Sequence, residues 1–174
     1  MKKILFVLMC SLLLVSAIAQ NENKIFFAAT AGTGISIGVP SYTPFTWQVS
    51  GYYHLTERWL VGAGTGLSFY EKLLIPLYGD VKYQIGKTRT ITPYAELGMG
   101  YSFAPNDEAN GGLLMNPSVG IQYPLKNRMK LQLAVGYELQ KLERLKKHSD
   151  SYFTKEFAEK LRHHAISIKL GLCF

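Results

Sequence analysis

In eight segments between residues 24 and 174, large apolar side chains recur at alternate positions, separated by small or polar ones. The last nine residues show this most clearly. Ile166, Ile168, Leu170, Leu172 and Phe174 alternate with Ser167, Lys169, Gly171 and Cys173. A period of two belongs to a strand with one apolar face. Eight such segments can be marked, at 24–37, 45–56, 59–70, 74–85, 90–103, 113–124, 129–142 and 158–174. After the first nineteen residues no continuous apolar run reaches the length of a spanning helix. The pattern predicts an all-β chain. If it enters a bilayer it must do so as a closed barrel, because lipid offers no partner to an open strand edge.

The first segment stands apart. Lys2 and Lys3 precede an apolar run from Ile4 to Val15, followed by Ser16-Ala17-Ile18-Ala19. This order reads as a secretory signal over 1–19, with cleavage expected before Gln20. Residues 20–174 then form one barrel domain. Its only cysteine is Cys173, so it has no internal disulfide. The formal charge of +7 falls to +5 without Lys2 and Lys3. For an exported chain, that basic balance points to a solvated face or to anionic lipid headgroups rather than nucleic acid.

The connections are short and polar at 56–58, 86–89 and 126–128. Those at 38–44, 104–112 and 145–157 are longer, and only 71–73 departs from the trend. Short turns at one end and longer loops at the other match a transmembrane barrel, with both chain ends on the short-turn, periplasmic side. The alternation alone also suits a soluble lipocalin-like barrel, with its apolar face turned in around a ligand. Two features favour the outward orientation. The row Gly62, Gly64, Gly66 makes a poor soluble surface but suits a narrow lumen. The aromatics on the apolar face also sort by height. Tyr53, Trp59, Tyr83, Tyr123 and Phe174 fall near one rim, and Phe45, Trp47, Phe69, Tyr101, Phe103 and Tyr137 near the other. Two such girdles are expected where amphipathic rings meet membrane interfaces.

The runs Ile75-Pro76-Leu77-Tyr78-Gly79-Asp80-Val81-Lys82-Tyr83 and Thr92-Pro93-Tyr94-Ala95-Glu96-Leu97-Gly98-Met99-Gly100-Tyr101 carry a resemblance. With them, the chain resembles the small bacterial outer-membrane β-barrel proteins related to the OmpA transmembrane domain and OmpX. That resemblance covers the whole mature chain. It implies an eight-stranded antiparallel up-and-down barrel in the outer membrane of a Gram-negative cell. It implies contact with outer-membrane lipids and lipopolysaccharide, and assembly by the barrel assembly machinery. Ile168, Leu170, Leu172 and Phe174 resemble the assembly signal of such barrels. No peptidoglycan-binding domain is expected after Phe174, and a monomer is expected.

By parity the lumen should hold Asp80, Lys82, Glu96, Lys130, Glu138 and Lys169, three acids and three bases. Buried charges persist when paired or solvated. The registry suggests Asp80 near Glu96, with Lys82 or Lys169 as the intervening cation. Such a cluster serves either as a plug or as the gate of a narrow porin-like channel. Enzymatic remodelling of lipid A would need a positioned nucleophile and base. His163 and Ser167 share a face but are four residues apart, roughly 13 Å along a strand. His163 and His164 point to opposite faces, so they form no joint metal site. The expectation is a non-enzymatic structural or surface-interaction barrel, with no catalytic residues, metal or cofactor. Its aromatic loop at 145–157 is suited to binding lipopolysaccharide or a host surface.

Overall fold

The computed structural model describes residues 25–37, 43–70, 72–86, 90–105, 109–125, 129–150 and 153–174; of residues 109, 143–150 and 153–161 it describes the backbone alone. The expected signal segment 1–19 lies outside the described residues. Nine strands follow in order: β1 (Ile25–Ser36), β2 (Phe45–His54), β3 (Trp59–Phe69), β4 (Leu73–Gln84), β5 (Thr92–Phe103), β6 (Ala109–Asn110), β7 (Gly112–Pro124), β8 (Lys130–Asp150) and β9 (Phe153–Cys173). Each full-length strand pairs antiparallel with its neighbours, and β1 pairs with β9. The result is a closed eight-stranded antiparallel barrel, with β6 as a two-residue addition on β8.

Closure satisfies the backbone groups of both end strands. At the seam, Phe27 and Phe174 exchange two backbone hydrogen bonds of 2.9 Å. The register also fixes the stagger. One circuit runs Phe27, Gly51, Ala63, Gly79, Met99, Met115, Leu139, His164 and arrives at Ile37, ten residues further along the chain and just past the end of β1. Eight strands with that stagger must tilt by about 40° and leave an interior that side chains can fill.

The two faces are sorted along β2. Thr46, Gln48, Ser50 and Tyr52 are buried, while Phe45, Trp47, Val49 and Tyr53 are exposed. The pattern repeats around the barrel. Leu77, Val119, Val135, Ile168 and Leu170 lie on the outer wall, between 48 and 62% exposed. This is the reverse of a soluble barrel, whose apolar face turns in.

Two details depart from the sequence reading. The segment 145–157 was expected to be a loop. Instead β8 and β9 stay paired from Lys130–Cys173 up to Asp150–Phe153, so the connection is a β-ribbon rising past the barrel. The register sets residues of opposite charge at opposed positions, as at Arg144–Glu159 and Lys147–Glu156, an order that favours a ladder. The long connection after β5 likewise contains β6, paired through Ala109–Arg144 and Asn110–Glu143.

β7 rejoins β8 at Leu114–Gln140, so Gly111 to Leu113 face only Lys141 and Leu142. That extra residue is a β-bulge. Glycine is required at the bulge because a Cβ on Gly111 would lie 1.7 Å from the Ser102 carbonyl oxygen.

Candidate functional site

The lumen concentrates the polar chemistry of the described chain. It is built by even-numbered residues of β1 to β5, of β7 and of β8 as far as Leu142, and by odd-numbered residues of β9 from His163 on, the positions that the pleat turns inward. The barrel has a proximal rim, where β1 begins and β9 ends, and a distal rim beyond Ser36 and Phe103.

Near mid-height, β4 supplies Asp80 and Lys82, and β5 supplies Glu96. The register sets Lys82, not Asp80, directly across from Glu96. Lys82 is fully buried, and its Nζ lies 2.7 Å from a Glu96 carboxylate oxygen. The same ammonium sits 4.2 Å from the Tyr52 ring centroid and 4.8 Å from that of Tyr94, and donates to Gln132 at 3.4 Å. Salt bridge, two ring faces and an amide together replace the water that a buried ammonium loses. Asp80 opposes Gly98 in the register and accepts a 2.6 Å hydrogen bond from the Tyr52 hydroxyl. Lys169 is buried on β9, and its charge also acts on Glu96.

The remaining two expected lumen charges lie apart from this cluster. Glu138 is buried toward the distal rim, where it accepts a 2.6 Å hydrogen bond from Tyr70. Lys130 begins β8 at the proximal rim and is only half-buried.

Sequence reasoning had not singled out the inward tyrosines. Tyr52, Tyr70, Tyr78 and Tyr94 bring both volume and hydroxyls to the lumen; Tyr78 also bonds to Ser50 at 2.8 Å. The signal was present in parity. Tyr52 and Tyr53 are adjacent, so only one can face out. The glycine rows are the counterpart of these rings. A Cβ on Gly64 would lie 2.6 Å from the Tyr78 hydroxyl oxygen, and one on Gly120 would lie 2.8 Å from that of Tyr94.

The distal lumen carries Ser102, donating to Gln140 at 2.7 Å, and His163 with its ring 5.4 Å from that of Tyr70. Ser167 is buried on the same inward face as His163. Among the described residues, no group of three or more His, Cys, Asp or Glu side chains is placed to hold a metal ion.

The outer wall has its own order. Phe45, Trp47, Phe69, Tyr101, Phe103 and Tyr137 are exposed toward the distal rim, and Tyr53, Trp59 and Tyr123 toward the proximal rim, with Tyr83 half-buried among them. Trp59 and Tyr83 pack at 4.7 Å between ring centroids, and Phe45 and Phe69 at 6.3 Å. Ile168, Leu170, Leu172 and Phe174 line the outer wall beside the seam.

No family model matches the chain, and no curated protein matches it in sequence. Solved structures do match in fold. Neisserial surface protein A aligns at a TM-score of 0.62 and 12% identity, over 86% of this chain and 95% of that one. The outer membrane protein AlkL aligns at 0.57 and 13%, over 87% of this chain and 90% of the other. The N-terminal β-barrel domain of OprF from Pseudomonas aeruginosa aligns at 0.52 and 12%, over 89% and 100%. The chain thus has the fold of small bacterial outer-membrane barrels. At these identities the likeness carries the architecture alone.

Proposed function

We propose that this protein resides in the outer membrane as a non-enzymatic barrel with a structural or surface-interaction role. The observation that carries the reading is the inversion of its faces. The wall is apolar and ringed by aromatics at two heights, while the charged and amide side chains are buried inside. Only a solvent more apolar than the lumen favours that arrangement. The signal segment and the OmpA/OmpX-like pattern support the same address. Under this reading the short turns are periplasmic, and the β8–β9 ribbon projects outward as the element offered to partners.

The packed lumen supports a structural role over general diffusion. Lys82, Glu96, Tyr52, Tyr94 and Gln132 fill the mid-section with direct contacts. A non-enzymatic role is supported by the positions of His163 and Ser167, both buried on the inward face and four residues apart. The test has two parts. Membrane fractionation should place the chain with outer-membrane markers. The folded barrel in planar bilayers should give no steady conductance steps.

A narrow porin-like channel is the second reading, favoured by the charged cluster at mid-lumen. It requires conductance steps in wild type that change on Glu96→Ala. Lipid A profiles that respond to His163→Ala or Ser167→Ala would instead make the protein an enzyme.

A further inference from the structure

Three opposed positions of the upper β8–β9 register carry residues of opposite charge. Glu143 stands across from Lys160, Arg144 from Glu159, and Lys147 from Glu156. Lys141 and Arg162 break this pattern, for they are two permanent cations directly across from each other. Like charges so placed destabilise a sheet unless an anion lies between them. Among the residues whose side chains are described, no acidic side chain is bonded to either one.

The position of the pair is informative. Lys141 has the outward parity of Tyr137 and Leu139, and Arg162 that of His164 and Ile166. Arg162 is exposed and Lys141 half-buried. Just below them on the same face, Tyr137 and His164 are hydrogen-bonded to each other. Lys141 also borders a groove of about 550 Å³ that it shares with Tyr101, Phe103 and Leu113. The bulge produces this groove, since Gly111 and Gly112 lie along it without side chains. The cations therefore stand at the height of the distal aromatic rings, with an apolar-edged groove beside them.

We propose that Lys141 and Arg162 clamp a phosphate group of an outer-leaflet glycolipid, whose acyl chain lies in the groove against Tyr101, Phe103 and Leu113. This rests on the outer-membrane reading and names a lipid partner for one sector of the wall. The guanidinium of Arg162 offers two parallel donors to phosphate oxygens, and Lys141 adds a compact charge. A phosphate monoester answers two opposed cations better than a zwitterionic headgroup, which brings its own cation.

The test is native mass spectrometry of the mature barrel released from nanodiscs. These contain phosphatidylcholine with equal amounts of bis-phosphorylated lipid A and its dephosphorylated form. Wild type should retain the phosphorylated lipid about tenfold more than the dephosphorylated one. Lys141→Gln/Arg162→Gln should lose that preference, while Arg58→Gln, an exposed cation at the proximal rim, should keep it. Equal retention of both lipids, or an unchanged preference in the double variant, would overturn the site. So would displacement of the lipid by millimolar inorganic phosphate, which would leave only a bare anion site. Insertion is read separately, from the mobility shift between heated and unheated barrel on gels. A chain that folds without bilayer or detergent would overturn the membrane reading and the site with it. An inserted barrel indifferent to phosphate would overturn the site alone.

Discussion

Lys82 is fully buried, so its charge must be offset by direct contacts within the lumen. Removing it leaves Glu96 and Asp80 facing each other's charge without their nearest cation. Lys82→Met should therefore destabilise the folded barrel by about 3–5 kcal/mol, measured by urea unfolding in lipid vesicles. Lys82→Met/Glu96→Gln should recover most of that loss, since no unpaired charge of the broken bridge then remains. A loss in the double variant equal to the sum of the two single-variant losses would show that the pair is not coupled. Gly64 makes a different case at the same scale. A methyl there meets the oxygens of Ser50 and Tyr78 at 2.5 and 2.6 Å. Gly64→Ala should cost about 1–3 kcal/mol through overpacking, and Gly64→Ala/Tyr78→Phe should be less affected than the sum of the two single variants.

At the scale of elements, the mid-strand prolines Pro76 and Pro117 show how a closed sheet tolerates a missing donor. The β3–β4 register runs to Thr65–Leu77, lapses beside Pro76, and resumes at Ser68–Leu74. The Thr65 hydroxyl donates to the Pro76 carbonyl at 2.8 Å. Pro117 accompanies a similar lapse in the β7–β8 ladder. Both gaps are local, because the ladder continues on either side. The β8–β9 ribbon is the opposite case, as its upper pairs lie beyond the strands that close the barrel. Replacing residues 146–157 by an Asn-Gly turn should leave the barrel folded, with a stability change below about 1 kcal/mol. Gel mobility shift and urea midpoint would check this. Loss of folding would mean that the ribbon nucleates the barrel rather than decorating it.

For the whole molecule, the inversion of faces makes the bilayer part of the folding free energy. Val135 lies on the outer wall, 48% exposed, between the aromatic rings of the two rims. Val135→Arg should destabilise the barrel in vesicles by about 2–4 kcal/mol. A soluble barrel would tolerate an exposed arginine there, so an unchanged urea midpoint would contradict the membrane reading.

Fold class and facing were legible along the chain because strand periodicity is local. Alternate positions 45 to 53 on β2 suffice to set which side chains share a face. The inward placement of Asp80, Lys82, Glu96 and Glu138 follows from the same arithmetic of two. Their pairing does not, because it depends on register between strands. A shift of two residues decides whether Asp80 or Lys82 stands across from Glu96, and the turn at 85–91 does not specify that shift. The ribbon at 145–157 was hidden for a related reason. Its residues are too polar to show one apolar face, and they become strand only by pairing with one another. Sequence alone thus determined the strands, their faces and their aromatic heights, all of which follow from the pleat. Stagger, charge partners, the bulge at Gly111 and the opposition of Lys141 to Arg162 were decided only by tertiary structure, because each joins residues that closure of the sheet brings together.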